Sequence, residues 1–255
     1  MLKHRVIPIL LLQGDSLVKS VKFKSHKYVG DPINTIRIFN EKEVDELVLI
    51  DIDASRHHRD PNYELINQCA SECFMPLAYG GGIKTIDQAK KLFSLGIEKI
   101  CVQSAALENP GFLKNLADNF GCQSIIVSID LKKKWNGKIQ IFNSALRKPH
   151  PGDWCILLQQ LVQAGAGEVL LNVLDKDGTL SGPELNLINI ASSSVDVPII
   201  ALGGISSMED IKASVLAGAS AVAAGSFFVF HGPHKAVLIT YPNYSDLNTL
   251  FAENK

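Results

Sequence analysis

The sequence predicts one closed α/β barrel of eight strand–helix units, a (β/α)8 TIM barrel built from a duplicated half-barrel. Two observations carry that expectation. Apolar runs of strand length alternate with capped, amphipathic helical stretches along all 255 residues, and strict alternation specifies parallel strands wrapped by helices. The chain also repeats itself. Tyr79–Ser104 reads YGGGIKTIDQAKKLFSLGIEKICVQS and Leu202–Ser226 reads LGGISSMEDIKASVLAGASAVAAGS. At one constant offset Gly81 and Gly82 answer to Gly203 and Gly204, Ile83 to Ile205, Thr85 to Ser207, Gly96 to Gly218 and Ser104 to Ser226. Four units per half close naturally into a ring, which favours the barrel over a doubly wound open sheet. The halves cover about residues 1–122 and 123–255 of a single domain.

The elements follow in order. Val6–Leu12 is a continuous apolar run, as expected of a parallel strand covered on both faces. Gln13–Gly30, carrying Lys19, Lys22, Lys24 and Lys27, reads as a long connecting loop, and loops of that length tend to be functional. Asp31-Pro32 opens the first helix as N-cap and first helical residue. Glu46–Asp51 is the second strand, and Asp60-Pro61 opens its helix by the same device. Met75–Tyr79, Thr85–Leu95 and Lys99–Gln103 give strand three, its helix and strand four; Asn109-Pro110 starts the fourth helix. Ser124–Asp130 is strand five. The polar segment Lys132–Arg147, with Trp135, Asn136-Gly137 and alternating Ile139 and Ile141, reads as an inserted hairpin. Pro151–Ala164 is helical, Glu168–Val173 is strand six, Pro183–Ser193 a helix, and Pro198–Leu202 strand seven. Ser207–Leu216 is the seventh helix, Ala221–Ala224 strand eight, and the tail from His231 to Lys255 finishes as helix interrupted at Pro242.

Composition bounds the function. Hydrophobic residues are 46% and charged residues 20%, which fits a globular protein with a large core. A net charge of −1 removes any global argument for nucleic acid or an anionic membrane as partner. The opening MLKHRVIPILLLQGD is basic and then apolar. Its apolar run is short, contains Pro8 and lacks a small-residue cleavage pattern, so it reads as a strand and not a leader. No stretch approaches a membrane span. Five scattered cysteines point to a reducing, cytoplasmic location. Cys69 and Cys73 lie four apart on a helix, but no second pair completes a metal site, and buried thiols are the expectation. No cofactor is called for.

Chemistry belongs where the strands end. Glycine at a strand-to-helix turn lets backbone N–H groups approach an anion, and a helix N-terminus adds its positive end. Two such turns suggest a ligand with two phosphates, or a repeat kept only for folding. Asp130 ends strand five, where partial desolvation can raise a carboxyl group towards the range of a useful base; a helix-capping Asp is the alternative. Strand six ends in Asn172, and the turn Asp175-Lys176-Asp177-Gly178-Thr179 follows. It has the look of a calcium loop but lacks the ligand-spaced Glu, so a ligand-binding turn is favoured. At the strand starts lie Arg5, Glu46, Lys99 and Glu168. Two cations and two anions crowded at the bottom of a barrel persist only when paired. They form either a plug that closes the core or a gate whose ion pairs part for a small polar molecule.

Several segments carry a specific resemblance: RVIP, GDPI, EVDELVLIDIDAS, the GGGI stretch, KICVQSAA, SIIVSID, GAGEVLLNVLDKDGT and PIIALGGI. On these the chain resembles, from end to end, the cyclase subunit of imidazole glycerol phosphate synthase. The resemblance implies a lyase-type cyclase that takes ammonia from a glutaminase docked at the bottom of the barrel and joins it to a bis-phosphorylated ribulosyl intermediate. It implies Gly82, Gln103 and Ser104 at a first phosphate cup, and Asp177, Gly178, Gly204, Gly225 and Ser226 at a second. Lys19 falls in the first loop, which covers the substrate, and Arg5, Glu46, Lys99 and Glu168 fall on the ammonia gate. One departure stands out. The family pairs Asp130 with an aspartate ending strand one, and this chain has Leu11 there. The internal repeat agrees, since it aligns Val6–Leu11 with Ile125–Asp130. Asp15 could substitute only through a register shift. Gln103 stands where the family has Asn, and Leu202 where it has a small polar residue. The segments VGDPINTIRIFNEKEVDELVLIDIDASR and GSFFVFHGPHKAVLITYP are similar to divergent members encoded with surface-polysaccharide genes. That likeness implies a dedicated glutaminase, an ATP-dependent amidotransferase and an amidino-sugar product. A non-catalytic scaffold for the glutaminase is the third expectation.

Overall fold

The computed structural model describes residues 4–232 and 234–252, so Pro233 and the last residues of the expected tail helix lie outside the described residues. Strand β1 (Arg5–Gln13) leads into an antiparallel hairpin, β2 (Ser16–Val21) and β3 (Lys24–Gly30), followed by α1 (Pro32–Glu41). Three units follow: β4 (Leu47–Asp51) with α2 (Tyr63–Glu72), β5 (Leu77–Gly80) with α3 (Ile86–Ser94), and β6 (Lys99–Val102) with α4 (Ser104–Glu108) and α5 (Pro110–Phe120). In the second half β7 (Ile125–Lys133) carries an inserted β8 (Ile139–Asn143) and β9 (Lys148–His150) before α6 (Trp154–Gln163). Next come β10 (Glu168–Val173) with α7 (Leu185–Ser194), β11 (Ile199–Leu202) with α8 (Met208–Leu216), and β12 (Ala221–Ala224) with α9 (Ser226–Val229). A small hairpin, β13 (Phe230–His231) and β14 (Ala236–Val237), and α10 (Tyr244–Ala252) complete the described chain.

The eight barrel strands pair in parallel in the order β1-β4-β5-β6-β7-β10-β11-β12 and close on β1, as the alternation predicts. Strand β6 pairs with β7, Ile100 facing Ile125, and β12 closes the ring on β1, Arg5 facing Ala221. Because side chains alternate along a strand, each strand has an inward and an outward set. The outward set packs on the helices in one large core that includes Leu10, Leu49, Tyr79, Ile100, Val127 and Leu171. The inward set forms a separate apolar plug of Ile7, Ile9, Val48, Ala78, Cys101, Ile126, Leu170, Ile200, Ala221 and Ala223. Arg5, Glu46, Lys99 and Glu168 have the same parity below that plug, and Leu11, Ile50, Gln103, Asp130, Asn172 and Leu202 have it above. The period of two therefore places ring, plug and mouth along one interior.

Several boundaries differ from expectation. Gln13–Gly30 is a twisted hairpin and not an irregular loop: Leu11 pairs with Val18, and Lys19 with Lys27. Its lysine-rich strands give no alternating apolar signal because much of the outer strand is exposed. The second helix starts later than Asp60-Pro61, with Asn62 as cap accepting from Leu65 N at 3.2 Å. The sixth helix is capped by Asp153 in place of a start at Pro151. The tail is a hairpin up to Val237 and helical only from Tyr244. Asp31 caps α1 as read, and Thr85, expected as the first residue of its helix, instead caps α3 in a reciprocal capping box with Gln88. Cys69 is buried and Cys73 half-buried; burial pushes their thiols up to about 12 and about 11, so both stay protonated near neutrality.

Candidate active site

A cavity of about 560 Å³ opens at the strand ends. The duplicated glycines shape opposite walls of it. Gly81 and Gly82 have φ of +109° and +75°, and Gly203 and Gly204 have +111° and +89°, so the repeat preserves conformation as well as sequence. A Cβ at Gly81 would meet the Asp51 carbonyl, and one at Gly203 the Val173 carbonyl. Each turn thus crosses the end of the preceding strand too closely for a side chain. Gly81, Gln103 and Ser104 line one side of the cavity; Gly178, Gly203, Gly204, Gly225 and Ser226 line the other. Gly82 is set behind the wall, and its N–H donates to Ser55 Oγ at 3.0 Å.

Between the two cups sits Asp130, on the inward face of β7 and buried. Its carboxylate accepts from Asn172 Nδ2 at 3.0 Å and from Ser144 Oγ, with Ser128 Oγ at 3.4 Å. Desolvation raises its pKa above the ordinary carboxylate value, and the hydrogen bonds from Ser144, Asn172 and Gln103 oppose the rise. Asn172 was legible as the end of strand six, next to strand five in any such barrel. Ser144 was not: it arrives from the inserted hairpin, whose register no local pattern fixes. Gln103 braces that hairpin, accepting from Ser144 N at 3.0 Å and approaching the Phe142 carbonyl at 3.4 Å. Ser104 Oγ donates to Asn143 Oδ1 at 3.3 Å.

The opposite wall is apolar. Leu11, at the top inward position of β1, lines the cavity with Ile9 and Ile50, while Leu202 lines it from β11 beside Asn172. No register shift brings Asp15 in; it lies exposed in the β1–β2 turn, accepting from Asn62 Nδ2 at 3.0 Å. A second carboxylate, Asp51, does line the mouth, but its Oδ1 accepts from the N–H groups of Asp53 and Ala54 and lies 3.7 Å from Arg59. It anchors the strand-two turn.

The β2–β3 hairpin folds over the second cup. Lys22 N donates to the Asp177 carbonyl at 3.0 Å, and Ser20 Oγ to the Asp177 carboxylate at 3.1 Å. A Cβ at Gly178 would overlap the Ser20 carbonyl. Lys19 points inward, its Nζ donating to the Ile9 carbonyl over the bare Cα of Gly225. Burial lowers its pKa to about 8, with Asp177 opposing. Lys22, Lys24, Arg56, Lys132 and Arg147 add cations around the rim.

Beneath the plug the four strand-start charges form one closed set. Glu46 accepts from Arg5 and, at 3.1 Å, from Lys99; Glu168 Oε1 lies 3.2 Å from Arg5 and 3.0 Å from Lys99. The four expected residues therefore meet, each cation touching both anions. Glu168 Oε2 is buried with no donor among the described residues.

Comparison with known proteins now bears on this geometry. The family model for the histidine biosynthesis protein matches residues 5–234. The chain belongs to that family. Within it, this HisF-type barrel is 52% identical over 252 residues to a Pseudomonas aeruginosa protein provisionally named imidazole glycerol phosphate synthase subunit hisF2, covering 97% of this chain and 99% of the relative. It is 48% identical to a Vibrio vulnificus protein provisionally named subunit hisF3, covering 96% and 95%. To the Streptococcus sanguinis imidazole glycerol phosphate synthase subunit HisF it is 37% identical, covering 91% of each. The HisF-type barrel is thus a subunit of the imidazole glycerol phosphate synthase kind. Among its described residues no helix is long and apolar enough to cross a membrane.

Proposed function

We propose that this HisF-type barrel is the synthase half of a glutamine-dependent pair whose acceptor is not the histidine intermediate. A glutaminase docks on the strand-start face and releases ammonia through the Arg5–Glu46–Lys99–Glu168 ring. The two glycine cups hold a two-ended phosphorylated acceptor, with Lys19 and the β2–β3 hairpin closing the second. Asp130 acts on the attacking nitrogen: as ammonia adds to an electrophilic C=O or C=N carbon of the acceptor, the π pair moves onto that oxygen or nitrogen, and the Asp130 carboxylate takes the proton that the entering nitrogen loses. Burial places that base closer to neutral pH, which favours the transfer. The product is an amidino group on a sugar destined for surface polysaccharide, completed with an ATP-dependent amidotransferase.

The observation that carries this reading is Leu11. The position opposite Asp130 holds a side chain that cannot carry a proton, and loss of a general acid typically removes about 10²–10⁴-fold of rate. A second reading, the histidine-pathway cyclase producing imidazole glycerol phosphate and an aminoimidazole carboxamide ribotide, is favoured by the family match and by Asp130 between two cups. A scaffold that only activates the glutaminase leaves Asp130 without a task. Deleting the gene tests the proposal: the strain grows without histidine while its surface glycan loses the amidino mass. An unchanged glycan counts against it.

A further inference from the structure

The strand-start end of the barrel carries an apolar projection that the fold itself does not bury. Between α2 and β5 the chain reads Cys73-Phe74-Met75-Pro76. Phe74 is 86% exposed, more than any other large apolar side chain among the described residues except Trp135. Pro76 is exposed as well and Met75 half-buried, so three consecutive apolar residues stand at the surface. Scattered single apolar residues need no explanation, whereas a contiguous apolar projection marks a contact surface. Trp135 lies at the other end of the barrel, in the turn between β7 and β8.

The projection is held in place. Phe74 N donates to Asn40 Oδ1 at 3.1 Å and Asn40 Nδ2 donates to the Glu72 carbonyl, so one α1 side chain clamps the turn on both sides of Cys73. Arg37 forks onto the Glu72 carboxylate at 2.8 and 2.9 Å, and Cys73 Sγ donates to the Met75 carbonyl at 3.3 Å. A residue fixed in this way has little backbone freedom left to lose on binding. The turn also borders the charge ring. The Pro76 carbonyl accepts from Leu47 N at 2.9 Å, one residue after Glu46. An exposed anion stands on each side: Glu43, whose N–H binds the Asn40 carbonyl, and Glu98, whose N–H binds the Leu77 carbonyl, both at 3.0 Å.

We infer that Phe74 is the anchor by which the barrel takes its glutaminase, its ring entering an apolar pocket with a basic rim on that partner. The inference rests on the proposed docking of a glutaminase at the strand-start face, and it names the residue and the complementary chemistry. Strand β5 lies between β4 and β6, at whose starts stand Glu46 and Lys99. A partner that feeds ammonia through the ring must therefore cover the turn that leads into β5. Charge excludes the other occupants. A second copy seated there would set Glu43 and Glu98 against like anions, and an anionic membrane would repel both. Central, preorganised aromatic residues carry most of the binding energy in such interfaces, and the surrounding charges select the partner.

The test titrates the full chain with the purified HisH-type glutaminase subunit of the same organism and follows heat, with no acceptor present, so its outcome is independent of the glycan experiment. Phe74→Ala should weaken binding about ten- to hundredfold, the loss of one buried phenyl ring. Phe74→Leu, still apolar, should lose less, and Trp135→Ala at the opposite end should bind as the wild type does. Because Phe74 is exposed, its variants should melt with the wild type, which separates a lost contact from a damaged fold. Replacing Glu43 and Glu98 together by Lys should weaken binding at least about threefold at low salt; equal or tighter binding refutes the basic rim. Wild-type binding that Phe74→Ala leaves unchanged overturns the anchor alone, whereas absence of wild-type binding removes the docking reading and the anchor with it. Should Phe74→Ala misfold, hydrogen exchange on the wild-type pair decides: bound glutaminase should protect residues 73–76, and exchange there at the free rate overturns the inference.

Discussion

The charge ring beneath the barrel makes a quantitative prediction. Glu46 is its most buried member, with a side chain 3% exposed, and it faces both Arg5 at 28% and Lys99 at 18%. Glu46→Gln keeps the shape and removes the charge, leaving two cations to share Glu168. Removing one partner of a buried ion pair costs about 3–5 kcal/mol, and the part-exposure of the two cations places this case near the lower figure. For a chain of this length each kcal/mol shifts the melting temperature by about 2–4 °C, so a fall of roughly 6–12 °C is expected. Urea unfolding followed by far-UV circular dichroism measures the free energy directly. Lys99→Met should cost a similar amount, whereas the double variant, again neutral, should cost at least about 1 kcal/mol less than the sum. Because the ring is largely withdrawn from solvent, these values should change little between low and moderate salt. A single-variant loss below about 1 kcal/mol, or strict additivity, would show that the four charges act as independent surface groups. Coupling of glutamine hydrolysis to product is the functional counterpart: Lys99→Ala should alter it, and unaltered coupling would favour a closed structural plug over a gate.

Three further outcomes follow from the mouth. Lys19 has a folded pKa of about 8 against 10.5 unfolded, so the folded chain binds fewer protons between those values and the penalty for burying the ammonium is full below about pH 8. Lys19→Met should therefore stabilise the unliganded protein at pH 7 by up to about 3 kcal/mol, less the lost bond to the Ile9 carbonyl, with the gain gone by pH 10.5; a gain equal at both pH values refutes the assignment. Gly178→Ala must force a Cβ against the Ser20 carbonyl at a φ of +66°, so the β2–β3 hairpin should become protease-sensitive while the barrel stays folded; unchanged cleavage would mean the contact does not hold it. Asp130→Asn should abolish nitrogen transfer from ammonium with about 10²-fold or greater loss of rate, and retained turnover would remove Asp130 from the chemistry.

Much of this was readable from residues because it depends on short periods. Glu168 at the start and Asn172 at the end of strand six were legible from the apolar run between them, and the internal repeat aligned Leu11 with Asp130. Where long-range pairing decides, the sequence was mute. The β2–β3 strands are paired through Lys19 and Lys27, which look like loop residues in isolation. Ser144 reaches Asp130 only because β8 pairs antiparallel to the end of β7. Gly82 looked equivalent to Gly204 as a wall residue, yet its N–H is taken by Ser55, a contact that no motif announces.

A histidine auxotroph lacking its HisF subunit, complemented with the chain and a matched glutaminase, separates the two acceptors. Because Leu11 stands opposite Asp130, no growth without histidine is expected. Growth at the rate restored by an ordinary HisF would contradict it and return the chain to the histidine pathway.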